Sequence, residues 1–228
     1  TRRTNPWRWI PLSMSNPSQP GSNAPVQELK RETLQFLKIV GLVVCAIVAL
    51  KSFVVESCPV HGPSMLPLLH ENERILVFKL PTVLSRLPGL QWIAPVETND
   101  LAVFASADEE NKHYVKRVVA MGPPYNGSNV VNAGAADPNA HSPDAVNVKF
   151  EFGKLYVNNQ IVDENYLVEE ERSSPMEHEA WLEAGQLYVL GDHRSVSKDS
   201  RRIGPVNHDQ LIGRAFFRFW PLSKLGFL

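Results

Sequence analysis

The chain has 228 residues, 43% hydrophobic and 21% charged, with a formal net charge of −1. These fractions exclude a disordered chain, a collagen-like fibre and a disulfide-dense miniprotein, and two cysteines cannot build a disulfide framework. A near-neutral balance excludes a dedicated nucleic-acid binder, and a mean hydropathy of −0.18 excludes a polytopic membrane protein while leaving room for one anchor.

Residues 1–33 read as a flexible tail. The stretch PLSMSNPSQPGSNAP (11–25) is too polar and too rich in Pro, Ser, Asn and Gly to offset its ordering entropy. Trp7 and Trp9 lie among Arg2, Arg3 and Arg8, a cluster able to touch a membrane surface or to be incidental to a loose tail. The next segment, 34–55, reads LQFLKIVGLVVCAIVALKSFVV. Its core from Ile39 to Leu50 is apolar all round, unlike the one-sided face of a surface helix. Lys38 and Lys51 flank it and can snorkel, so about 22 residues at 1.5 Å each suffice for a hydrocarbon layer of roughly 30 Å. Arg2, Arg3, Arg8, Lys30, Arg31 and Lys38 precede the core and Lys51 alone follows closely, which puts the N-terminus in the cytoplasm.

Residues 56–228 read as a mainly antiparallel β domain. Strands are expected at 75–80, 101–105, 113–121, 148–152, 154–157, 186–190 and 211–219, each short, rich in Val, Phe, Tyr, Leu and Ile, and bounded by turn residues. Residues 155–162, LYV-NN-QIV, read as a hairpin turning at Asn158 and Asn159. Two insertions interrupt the pattern: an apolar one at 81–95 and a Gly-, Ala- and Pro-rich loop at 126–147. Residues 169–183 suit a short helix or an acidic loop.

Three clusters can carry chemistry. In His61-Gly62-Pro63-Ser64-Met65-Leu66-Pro67 a serine sits among turn formers, where a hydroxyl is exposed and backbone N–H groups can face an oxyanion. Alternation along Tyr114-Val115-Lys116-Arg117-Val118 puts Lys116 on the face of Tyr114 and Val118, with Arg117 opposite. A lysine on an apolar face loses proton affinity and can accept a serine proton; on a solvated face it does neither. The run from Gly191 to Pro205 packs hydroxyls, carboxylates and cations together, suiting an Asp199–Arg201 ion pair or a solvated loop.

In this order and behind such an anchor, the clusters resemble the type I signal peptidases, membrane-bound Ser-Lys endopeptidases. The resemblance runs from about Val43 to the C-terminus through four boxes: 53–67, Asp100 to Phe104, Lys116 to Val119, and Gly191 to Gly204. It implies an antiparallel β-sheet catalytic domain preceded by one N-terminal transmembrane helix. Ser64 is then the nucleophile, with its own N–H in the oxyanion hole, and Lys116 the general base. Ser197 orients Lys116, Asp199 and Arg201 hold their loop, and Asp192 supports it. The implied partners are precursor proteins bearing signal peptides and the lipid bilayer, with no nucleic acid, no cofactor and no metal. A bacterial cytoplasmic membrane is the first location implied, with the catalytic domain outside; the mitochondrial inner membrane is the alternative. Three positions depart from the family pattern: Gly62 where some members add a serine hydroxyl, Met121-Gly122-Pro123-Pro124-Tyr125 where the lysine box turns, and His193 where Asn is common. Met65, Leu90 and Trp92 are expected to meet substrate or bilayer, the rival for 81–95 being a loop packed over the β core. Two other readings are a Ser-His-Asp hydrolase using His61, His113 or His193, and a tethered β domain that binds a partner without catalysis.

Overall fold

The computed structural model describes residues 24–90, 93–106, 112–124, 141–171 and 177–228. The expected tail before residue 24, Trp92 and most of the 126–147 insertion lie outside the described residues. The chain divides into two units, one ending at Ile47 and one running from Val48 to Leu228.

The first unit contains most of helix α1, Ala24–Ala49, which a single wider turn, Leu50–Val54, extends. The helix starts ten residues earlier than the expected anchor, because Gln27, Glu28, Leu29, Lys30 and Arg31 are good helix formers whose polarity hides them from an apolar count. Leu29–Val54 is long and apolar enough to cross a membrane, and Phe36, Ile39, Leu42, Val44, Ile47 and Val48 are all exposed along it.

The second unit is built from two antiparallel sheets. The larger takes β1 (Val55–Pro59), β2 (Arg74–Phe78), β3 (Leu101–Ala105), β4 (His113–Met121), β9 (Gln186–Leu190), β10 (Val206–Asn207), β11 (Leu211–Trp220) and β12 (Gly226–Phe227). Its order is β1-β2-β11-β3-β4-β9-β10, with β12 beside β11. The smaller runs β7 (Gln160–Ile161), β6 (Lys154–Val157), β5 (Val146–Glu151), β8 (His178–Leu182). Five expected strands match closely, and the Asn158–Asn159 turn has both residues at positive φ, 48° and 63°. Four strands escaped the pattern, the two-residue β10 and β12 among them. β1 is short and polar. β8, in the stretch read as helix or loop, alternates inward His178, Ala180 and Leu182 with outward Glu179 and Trp181, and pairs with β5. Only a single turn, Glu169–Glu171, is helical there among the described residues. β5 also claims Val146 and Asn147 from the expected 126–147 loop by pairing them with Leu182 and Trp181.

The pleat sends alternate residues to opposite faces of the large sheet. Ile75, Val77, Leu101 and Val103 pack on one side with Met65 and Leu69, while Ala102, Phe104, Val118 and Val189 pack on the other with Leu211. A third cluster, with Val119, Tyr188 and Leu190, joins the sheet to Val148, Phe150 and Leu155 of the smaller one.

Backbones of the large sheet approach closely at Gly213, beside a register shift in β11. A Cβ there would fall on the Phe78 carbonyl oxygen and lie 2.9 Å from its carbon. Gly213→Ala should therefore separate β2 from β11 and cost about 1–3 kcal/mol, read as a lower denaturant midpoint in urea unfolding.

Candidate active site

Ser64 sits in a tight turn between β1 and β2. Its neighbours hold it: Leu66 N–H donates to Pro63 O at 3.1 Å and Leu69 N–H to Met65 O at 2.9 Å. Met65 and Leu69 are fully buried, so both ends of the turn are tied to the core. Met65, expected to meet substrate or bilayer, packs into the core in this structure.

Lys116 lies in the middle of β4, opposite the small Ala102 of β3. The expected face is observed, since its Nζ lies 5.8 Å from the centre of the Tyr114 ring, two residues away. The side chain reaches Ser64, and Nζ lies 2.5 Å from Oγ. Only 2% of Lys116 is exposed. Burial, the largest effect, lowers its pKa from 10.5 to about 8; Asp199 and Asp192 pull it back up and Arg201 pushes it down.

The run after β9 wraps this pair. Gly191 N–H donates to Asp199 Oδ2 at 3.0 Å, and His193 N–H donates to Ser64 O at 3.1 Å. Gly191 is required, because a Cβ would meet the Ser197 hydroxyl and lie 2.5 Å from Ser64 O. Asp199 is fully buried and caps the short helix α3, Ser200–Ile203, accepting from Arg201 N–H. Arg201 grips the same carboxylate twice, from Nε at 2.9 Å and Nη2 at 2.8 Å. Burial alone would raise the Asp199 carboxyl, but these hydrogen bonds, the Arg201 charge and the Gly191 N–H hold it below its ordinary value. Asp192 is clasped by Arg117, Nε at 2.8 Å and Nη2 at 2.6 Å. Arg117, expected to turn away from Lys116, does so and thereby ties β4 to the loop.

Ser197 Oγ is buried beside Gly191 and close enough to Asp199 to help keep it ionised, yet it makes no well-aligned hydrogen bond among the described residues. The expected Ser197–Lys116 hydrogen bond is therefore not formed. Leu90 is half-buried. Upstream of it, α2 (Leu80–Ser85) buries Thr82 and Ser85, Ser85 Oγ lies 3.0 Å from His208 Nε2, and Arg86 donates to the carbonyls of Asp209 and Leu211 at 2.9 and 2.7 Å. This part of 81–95 is packed over the β domain; Leu87 is exposed.

The histidine alternatives find no support in this geometry. His193 Nδ1 lies 3.2 Å from Pro63 O and its Nε2 3.4 Å from Glu171, while His113 Nδ1 is 4.0 Å from Glu56. The position beside the Ser64 hydroxyl belongs to Lys116.

A model of the family described as "Signal peptidase, peptidase S26" matches residues 33–125 and 140–220. The chain belongs to the signal peptidase family. A signal peptidase I of Leptolyngbya laminosa is 28% identical over 95% of this chain and 93% of its own length. One from Bacillus caldolyticus is 29% identical over 81% and 90%, and signal peptidase IB of Staphylococcus aureus is 27% identical over 86% and 94%. The activity of this signal peptidase is accordingly that of a serine peptidase removing signal peptides, and neither a partner-binding module nor a Ser-His-Asp hydrolase is favoured. Residues that sequence reasoning missed are Glu164, Tyr166 and Arg194, which close a buried network under the loop. Their sequence signal was faint, one carboxylate and one phenol in an otherwise unremarked turn.

The lysine also has a stability signature. Between about pH 8 and 10.5 the unfolded chain holds a proton that the native Lys116 has lost, so this group makes stability rise with pH across that window. Lys116→Met should be more stable than the parent at pH 7 by about 1–3 kcal/mol, with the advantage shrinking above pH 8. Urea unfolding at pH 7 and pH 9.5 checks both the sign and the trend.

Proposed function

We propose that Ser64 is the nucleophile and Lys116 the general base with which this signal peptidase cleaves its precursors. One observation carries the assignment: a buried lysine amine, lowered to about 8, lies 2.5 Å from the hydroxyl of a serine held in a rigid turn. Ser64 Oγ attacks the scissile carbonyl carbon as Lys116 Nζ takes its proton. The tetrahedral oxyanion is met by the Ser64 N–H, without a side-chain donor at Gly62. Collapse breaks the C–N bond, and the leaving amine takes the proton from Lys116. Neutral Lys116 then deprotonates a water, which attacks the acyl ester, and Ser64 regains its proton. Asp199, Arg201 and Asp192 hold the loop, Ser197 included, that excludes water from the amine.

The precursor enters extended, adding a strand beside the site, with small side chains just before the cut. α1 anchors the enzyme in the lipid bilayer. Lys30, Arg31 and Lys38 before the apolar core, against Lys51 after it, keep the N-terminus cytoplasmic and the β domain on the outer face of the cytoplasmic membrane.

Cleavage of a precursor with a small-residue signal peptide, by the full chain in detergent, tests the dyad. Ser64→Ala and Lys116→Ala should each lower kcat by about 10²–10⁴-fold or more while leaving the chain folded. In the parent, the rate should climb with pH and level off above about pH 8, where Lys116 is neutral. A climb near pH 6.5 that survives Lys116→Ala would refute the assignment.

A further inference from the structure

The small sheet has no part in the chemistry above, yet the turn leaving it reaches under the catalytic loop. Glu164 is 8% exposed and Arg194 2%. Arg194 Nη1 donates to Glu164 Oε2 at 3.1 Å and Nη2 donates to Oε1 in a still shorter contact. Tyr166 donates its hydroxyl to the same Oε1 at 2.8 Å. Burial and the adjacent Glu164 charge hold the Tyr166 phenol well above its ordinary pKa, so it remains a donor.

From this carboxylate two lines run to the dyad. Arg194 Nε donates to Gly191 O at 3.1 Å, and Arg201 Nη2 donates to Arg194 O at 2.7 Å. Gly191 is the residue wedged against Ser64 O and Ser197. The second line passes through Tyr166, whose ring lies 4.3 Å from the Arg117 guanidinium that clasps Asp192 from the strand carrying Lys116. Phe150 of β5 backs both arginines of the loop, 5.8 Å from Arg194 and 5.9 Å from Arg201.

We infer that Glu164 and Tyr166 are positioning residues for the Ser64–Lys116 pair, setting from the turn that leaves the small sheet how tightly the 191–201 loop closes over the lysine. The inference rests on the dyad reading. Its consequence is electrostatic. Lys116 is faced by Ser64 and by Tyr114 of its own strand, and by Asp192, Asp199 and Arg201 of the loop. Burial is the largest influence on its proton affinity. A loop that loses its Glu164 clamp admits water, weakens that influence, and lets the amine rise back toward 10.5.

The test is the pH dependence of precursor cleavage by the full chain in detergent, with KM and kcat determined separately. Glu164→Gln should move the rising limb up by about one pH unit, which lowers kcat at pH 7 about tenfold and recovers it at pH 9.5. KM should stay within about twofold. Tyr166→Leu, which removes the ring from Arg117 but leaves the Glu164–Arg194 pair, should move the limb the same way by less. It also decides the matter if Glu164→Gln does not fold, since an unpaired buried arginine is costly. A merely structural role would scale the rate equally at every pH. Folded variants whose limb stays at the parent's position would therefore overturn the inference. A parent limb that survives Lys116→Ala would instead bring down the dyad reading, and this inference with it.

Discussion

Keeping a lysine amine out of water beside Ser64 is the demand to which the rest of the β domain answers. An ammonium resists burial, and that resistance favours the neutral amine here: what disfavours the charge frees the lone pair. The sheet supplies the enclosure. Lys116 is in the middle of a nine-residue strand, with β3 on one side and β9 on the other, so its backbone cannot swing to carry the amine to solvent. Ser64 comes from a different part of the chain, and its turn is held by two buried side chains and by the N–H of His193.

Enclosure creates a second problem. The loop that covers the amine needs buried polar groups to hold its shape, and buried carboxylates would restore the lysine's proton affinity. The structure commits each of three acids to a guanidinium: Asp199 to Arg201, Asp192 to Arg117 and Glu164 to Arg194. Asp199 and Asp192 still raise the lysine, but Arg201 opposes them and burial outweighs them. Arginine suits this role better than lysine would. Its fork satisfies both carboxylate oxygens, and its proton is never in play.

Much of this was legible in the sequence where the signal is local. Short runs rich in β-branched and aromatic residues between turn formers placed β3, β4 and β9 at their observed bounds, and period-two alternation put Lys116 on the enclosed face two residues from Tyr114. The Asn158–Asn159 turn was legible because few residues accept two successive positive φ values. β8 was not, since His178 dilutes its inward face and only its pairing with β5 makes it a strand. The start of α1 was hidden for a related reason. Helix propensity continues into polar residues where an apolar count stops.

What sequence pattern could not show is which charged residue meets which. Alternation put Arg117 on the face opposite Lys116 but could not name its partner, Asp192, which lies 75 positions away. Glu164 and Arg194 are 30 apart, on different sheets' connections, and neither is remarkable until the fold closes. Met65 shows the same limit from the other side: its place beside Ser64 suggested contact with substrate or bilayer, and its complete burial became visible only in the fold. A face of a strand follows from spacing alone, but a buried ion pair is decided by topology. The lowered proton affinity of Lys116 belongs to the second class. Its position on the strand was readable, but its burial, the largest effect, depends on a loop that the chain brings over it from beyond β9, whose Asp199 and Asp192 oppose the shift and whose Arg201 adds to it.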